Sequence, residues 1–175
     1  MPILLALIAV AGVAYFWYWR ARNAAEVASE VADMAQSVLG AARRFGFRRR
    51  ANVHPVDSIE DPKLAVGGLA TAFFELSGMP TAEQKHTLVI GLQSVLDLPL
   101  DAAEEMVVLG HWLVNACNGP SPAVSRLARK VRTMSGIDGL TQAMAILDRV
   151  ASVGGGLSPG QREALDEVKR IFRLT

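Results

Sequence analysis

The 175-residue chain has one cysteine, Cys117, and three histidines, His54, His86 and His111. A lone cysteine makes no internal disulfide, and Cys117 lies in an apolar stretch, so it reads as a small buried residue in a reducing compartment. His54 falls in a linker, His86 on a capped helix where exposure is expected, and His111 beside Trp112 at a core or interface position. His111 and Cys117 are six residues apart, a poor helical spacing for a shared metal. No Ser/His/Asp or Cys/His nucleophile arrangement assembles from these residues, so no enzyme and no cofactor is expected. Two-residue alternation with β-branched enrichment is missing throughout, which excludes a β fold. The run Gly154-Gly155-Gly156 has no strand before it and no Gly-Lys-Ser/Thr after it, which excludes a phosphate cradle.

Charge is missing altogether from Pro2 to Trp19, whereas 51% of the chain is hydrophobic. Eighteen residues at about 1.5 Å each span roughly 27 Å, enough for the hydrocarbon core of a bilayer. Aromatics are scarce at 6%, yet Tyr15, Phe16, Trp17, Tyr18 and Trp19 are contiguous at the end of this run. Such rings prefer the headgroup zone, and Arg20 and Arg22 follow in the water layer. A cleaved secretory signal would carry Lys or Arg before the apolar run, which Met1-Pro2 lacks. Gly12-Val13-Ala14 resembles a cleavage site, but bulky aromatics follow it. Residues 1–20 are therefore expected to be a transmembrane anchor. Small residues never fall four apart within it, so a tight right-handed helix dimer is not indicated. Basic residues lie after the run and none before it, which places the N-terminus outside and the remaining chain in the cytoplasm. A single-pass protein of a bacterial inner membrane is the expected setting.

Residues 21–50 read as an amphipathic stalk. Val27, Val31, Met34 and Val38 recur at helical spacing, with Glu26, Glu30 and Asp33 opposite. That seam fits either a helix lying back on its own domain or a short coiled-coil contact with a neighbour. The stalk closes on Arg43, Arg44, Arg48, Arg49 and Arg50, interleaved with Phe45 and Phe47. Basic charge among aromatics suits contact with anionic lipid headgroups. Nucleic acid is the other partner for such a cluster, but a net charge of +1 gives it little support. Residues 20–50 hold seven basic and three acidic side chains, and residues 51–175 hold eleven and fourteen. Positive charge thus lies next to the expected anchor, and no nucleic acid is expected as a partner.

Residues 51–61 are a polar linker, and residues 62–175 read as all helix. Asp61-Pro62 opens a first helix carrying Leu64, Leu69, Phe73 and Leu76. Thr81-x-x-Gln84 is a capping box for a second, ended by Pro99. Asp101-x-x-Glu104 opens a third, stopped by Asn118-Gly119-Pro120. A fourth follows, basic through Arg126, Arg129 and Lys130, and a fifth runs from about Asp138 to Val153. Ser158-x-x-Gln161 caps the sixth. The expectation is an all-α bundle of about six helices, large enough for its own core.

Two turns repeat. Ser77–Leu88 lies over Gly154–Leu165, matching Gly78 with Gly155, Thr81 with Ser158, Gln84 with Gln161 and Leu88 with Leu165. On helix order and these turns, residues 60–174 resemble the TerB-like domain of tellurite-resistance proteins. The arrangement is similar to membrane-anchored DnaJ-like co-chaperones that carry such a domain, although no J-domain His-Pro-Asp is present and His54-Pro55-Val56-Asp57 only approaches it. The family's turn runs Asp-Gly-x-hydrophobic-Ser-x-x-Glu, with its acidic residues implicated in metal binding. Here Ser77 and Gly154 replace the Asp, and Gln84 and Gln161 replace the Glu. These changes remove the carboxylates that hard cations require. The anchor and the lack of catalytic groupings point to a membrane-tethered helical adaptor or accessory subunit of a membrane complex, with membrane lipid and a protein complex as partners. A metal- or oxyanion-stress protein is the alternative, with Glu83, Asp97, Asp101 and Glu104 as a weak cation site.

Overall fold

Asp61 stops one chain segment and starts a helix that is buried along most of its length. In a computed structural model, which describes residues 38–48, 50–78, 80–153 and 156–173, its carboxylate accepts from the Lys63 N–H at 2.8 Å. Pro62 then occupies the first helical position, where no N–H is needed, and α1 runs Pro62–Glu75. Every residue from Leu64 to Phe74 in α1 is buried. A helix apolar on all sides needs partners on all sides, and α2 (Ala82–Leu96), α3 (Leu100–Ala116), α4 (Pro120–Val153) and α5 (Pro159–Phe172) supply them. Small residues set the approach. A Cβ on Gly67 would lie 2.1 Å from Met106 Sδ, and one on Gly110 would lie 2.5 Å from Thr71 Oγ1.

The helix ends follow local chemistry. Thr81 and Gln84 close a reciprocal capping box at α2, and Ser158 and Gln161 do the same at α5. Asp97 takes a left-handed conformation after α2, and Asn118 and Gly119 take positive φ between α3 and α4. The third helix begins at Leu100 behind Pro99, with no side-chain cap. Asp101 is thus inside its first turn, and its carboxylate is used elsewhere. The fourth and fifth expected helices meet end to end as α4, broken only at Gly136 with φ 55° and ψ −133°. A short 3-10 turn at Pro55–Ser58 sits in the linker. No strand occurs among the described residues, so the all-α expectation holds.

The chain divides into two units, Met1–Ser37 and Val38–Thr175. The second contains the described residues and starts well before the expected boundary at 62, and Ala41, Phe45 and Phe47 belong to its core. Among the described residues no helix is long and apolar enough to cross a membrane. The expected anchor at 1–20, with Tyr15, Phe16, Trp17, Tyr18, Trp19, Arg20 and Arg22, lies outside them, as do Val27, Val31, Met34 and Arg49.

Candidate functional site

Residues 38–48 form a strap on the bundle. Residues 38–44 are helical, and Gly46, with φ 61°, turns the chain. The Gly46 N–H reaches the Arg43 carbonyl, and the Phe47 N–H reaches that of Ala42 at 2.7 Å. This is the glycine-terminated helix end in which the residue after the glycine folds its side chain back onto the helix. Ala41, Phe45 and Phe47 are consequently buried, and Val38 is partly buried against the core. Phe47 meets Trp112 of α3 edge to face, with centroids 5.6 Å apart. Arg44 binds Asp101 at 2.7 Å and lies 3.0 Å from a Glu105 oxygen. Its guanidinium holds the Asp101 carboxyl below the ordinary carboxylate range.

The two phenylalanines therefore pack into the bundle, although the arginines expected at lipid headgroups are interleaved with them. Of the arginines assigned to headgroups, Arg44 is held by α3 and Arg50 pairs with Glu60. Arg43 and Arg48 are exposed, and no described residue bonds their side chains. The Phe-Gly-Phe spacing carried the missed signal, since glycine followed by an apolar residue is how such helix ends are written.

A second cluster sits at the 3-10 turn. His54 Nδ1 accepts from the Val56 N–H, and Nε2 donates to the Ala116 carbonyl, both at 3.2 Å. That pattern requires the neutral ring with its proton on Nε2, so His54 serves as a structural cap. Asp57 receives Arg126 at 2.6 Å, which keeps its carboxyl below the ordinary range, while Lys130 donates to the Asp57 carbonyl at 2.9 Å. Cys117 is buried nearby and burial pushes its thiol up, a poor setting for a nucleophile.

His111 lies on the exposed side of α3 rather than in the core. Its Nδ1 donates to Glu75 at 2.8 Å, and the Asn115 amide donates to its Nε2 at 3.0 Å. His86 is exposed. No three His, Cys, Asp or Glu side chains among the described residues are grouped to hold a metal ion. Of the acidic set proposed as a cation site, Asp97 is a helix C-cap and Asp101 is bound to Arg44.

The two matched turns differ in depth. The side chains of Thr81 and Gln84 bond only within their own box among the described residues. Ser158 also donates to the Leu76 carbonyl at 2.6 Å, and Gln161 Nε2 donates to the Phe73 carbonyl at 3.3 Å. The cap of α5 thus reaches the last carbonyls of α1, adding a second bond to that of Phe73, which already accepts from the Leu76 N–H at 3.2 Å. Beside it, a groove of about 320 Å³ runs between Ser121, Val124 and Ser125 of α4 and Ala164, Glu167 and Arg170 of α5. Ser125 donates to Glu167 at 3.0 Å, Arg170 pairs with the same carboxylate, and Arg132 donates to the Ile171 carbonyl at 2.6 Å. Arg170, then Ser125, hold the Glu167 carboxyl below its ordinary range. Sequence spacing gave no sign of this groove, because its two walls lie about forty residues apart. The chain matches no protein-family model, no curated protein and no solved structure.

Proposed function

We propose that this protein is a membrane-tethered helical adaptor, or accessory subunit of a membrane protein complex, with a TerB-like bundle on the cytoplasmic side of a bacterial inner membrane. The observation that carries the reading is the uncharged run Pro2–Trp19, closed by five aromatics and followed by arginines. The strap supports it from the other side. Residues 41–47 are fastened to the bundle by the buried rings of Phe45 and Phe47, the latter against Trp112 of α3, and by the Arg44 ion pair, a firm attachment for a domain held by its N-terminal end. The bundle then presents surfaces to partners, and the reading assigns it no catalytic step. Arg43 and Arg48 remain the headgroup contacts of the basic cluster, together with Arg49.

Reporter fusions test the tether. A reporter active only in the cytoplasm is expected to work at the C-terminus and to fail at the N-terminus, and the chain is expected in the membrane fraction after an alkaline wash. Recovery of the full chain in the soluble fraction would sink the proposal.

A further inference from the structure

Charge is divided unevenly along the bundle. Residues 51–105 carry two basic and nine acidic side chains, whereas residues 106–175 carry nine basic and five acidic. No Asp or Glu occurs between Glu105 and Asp138, the stretch that contains the first half of α4. Within it, Ser125, Arg129 and Arg132 are spaced by four and three residues, so they form one stripe of the helix. Ser125 and Arg132 both bond to α5, which turns this stripe toward the groove. Arg129 has no protein partner among the described side-chain bonds, though its charge acts on Glu167. Arg132 bonds only a backbone carbonyl and so keeps its full charge. The last turn of α5 carries Lys169 and Arg170, which pair with Asp166 and Glu167 of the same helix.

We propose that this α4–α5 face docks an acidic protein segment, its carboxylates on Arg129 and Arg132 and a small apolar side chain in the groove between Val124 and Ala164. The groove explains the choice of partner. The groove itself carries Glu163, the hydroxyl of Ser121 and the paired Glu167 and Arg170, while Arg132, bonded to Ile171 next to Arg170, lies outside its lining. A uniform polyanion would have to lay charge across Glu163 and Glu167. A peptide can place carboxylates at one end and neutral side chains at the other. Aromatic platforms for base stacking are also missing, since α4 has no aromatic residue and Phe172 of α5 is buried. The inference rests on the adaptor reading for its context and names the docking face and the partner's chemistry. Its test does not depend on topology, so either can fail alone.

The test uses the full chain in a neutral detergent and a fluorescein-labelled peptide with a Leu/Ala half followed by an Asp/Glu half, read by anisotropy. Binding is expected, weakening as salt is raised. Exchange of both arginines, R129Q with R132Q, should weaken it at least about tenfold. The matched loss of charge in K63Q with K85Q should leave it unchanged, and R129K with R132K should retain it. Melting curves of each variant confirm folding. Parent-like binding by R129Q/R132Q, or equal loss in K63Q/K85Q, overturns the proposal. Displacement of the peptide by a thymidine oligonucleotide or by dispersed short-chain phosphatidylglycerol, at equal charge, overturns it in favour of a nucleic acid or a lipid surface.

Discussion

Gln161 is an amide for a reason that its sequence neighbours do not reveal. Its Oε1 accepts from the Ser158 N–H while its Nε2 donates to the Phe73 carbonyl, and the side chain is 1% exposed. A glutamate keeps the first bond and loses the second, leaving a carboxylate oxygen against a carbonyl. Gln161→Glu is therefore expected to cost about 1–3 kcal/mol of stability near neutral pH. The deficit should shrink as pH falls through the carboxylate range, because a protonated glutamate regains one donor. Gln84→Glu should cost less, since Gln84 is used only as an acceptor among the described residues. Denaturant midpoints across pH check both variants, and equal costs would show that the Phe73 bond is not what selects the amide. The capping box itself was legible because Ser-x-x-Gln is local. The second bond was not, because its partner lies 88 residues away.

Helix boundaries were legible for the same reason. Asp61-Pro62, Thr81-x-x-Gln84, Asn118-Gly119-Pro120 and Ser158-x-x-Gln161 each act on the nearest turn of backbone, and each marks a real helix end. Tertiary assignments were less so. Val38 continues the stalk's spacing, so residues 41–47 read as more stalk until Trp112, 65 residues on, receives Phe47. The junction of the fourth and fifth helices was also hidden, since Gly136 only reads as a break between two elements. Two glycines test these assignments with one substitution. Gly136 has φ 55° and a Cβ there would touch nothing within 4 Å, so any cost of Gly136→Ala comes from the backbone alone. That cost is expected to be about 1–3 kcal/mol. Gly40 is helical, exposed and equally open, so Gly40→Ala should stabilise by up to about 1 kcal/mol. Opposite signs in urea unfolding are the expected result, and a neutral Gly136→Ala would mean that α4 runs through without its break.

At the scale of the whole molecule, the question is how the strap holds. Two kinds of force act on residues 41–47. Phe45 and Phe47 are buried against the bundle, and Arg44 is paired with Asp101 and Glu105 of α3. The Asp101 carboxyl is held below its ordinary range, chiefly by the hydrogen bond from Arg44. Its contribution is thus complete above the unfolded carboxylate's pKa and is lost as pH falls through the lower, folded value. Hydrogen exchange over residues 41–48, corrected for intrinsic rates, should therefore rise in the parent as the solution is acidified. In D101N with E105Q it should already be raised at neutral pH, and acid should add little further. The rings respond differently. Trp112→Ala removes the edge-to-face partner of Phe47 and leaves the ion pair intact, so exchange should rise at neutral pH and rise again in acid. If the neutral-pH exchange of D101N/E105Q equalled that of the parent, the rings alone would hold the strap. The ion pair would then be an exposed contact of the kind that contributes little. The expected pattern makes the strap a joint of two independent parts, one of which acid can release while the other keeps the N-terminal end of the domain seated.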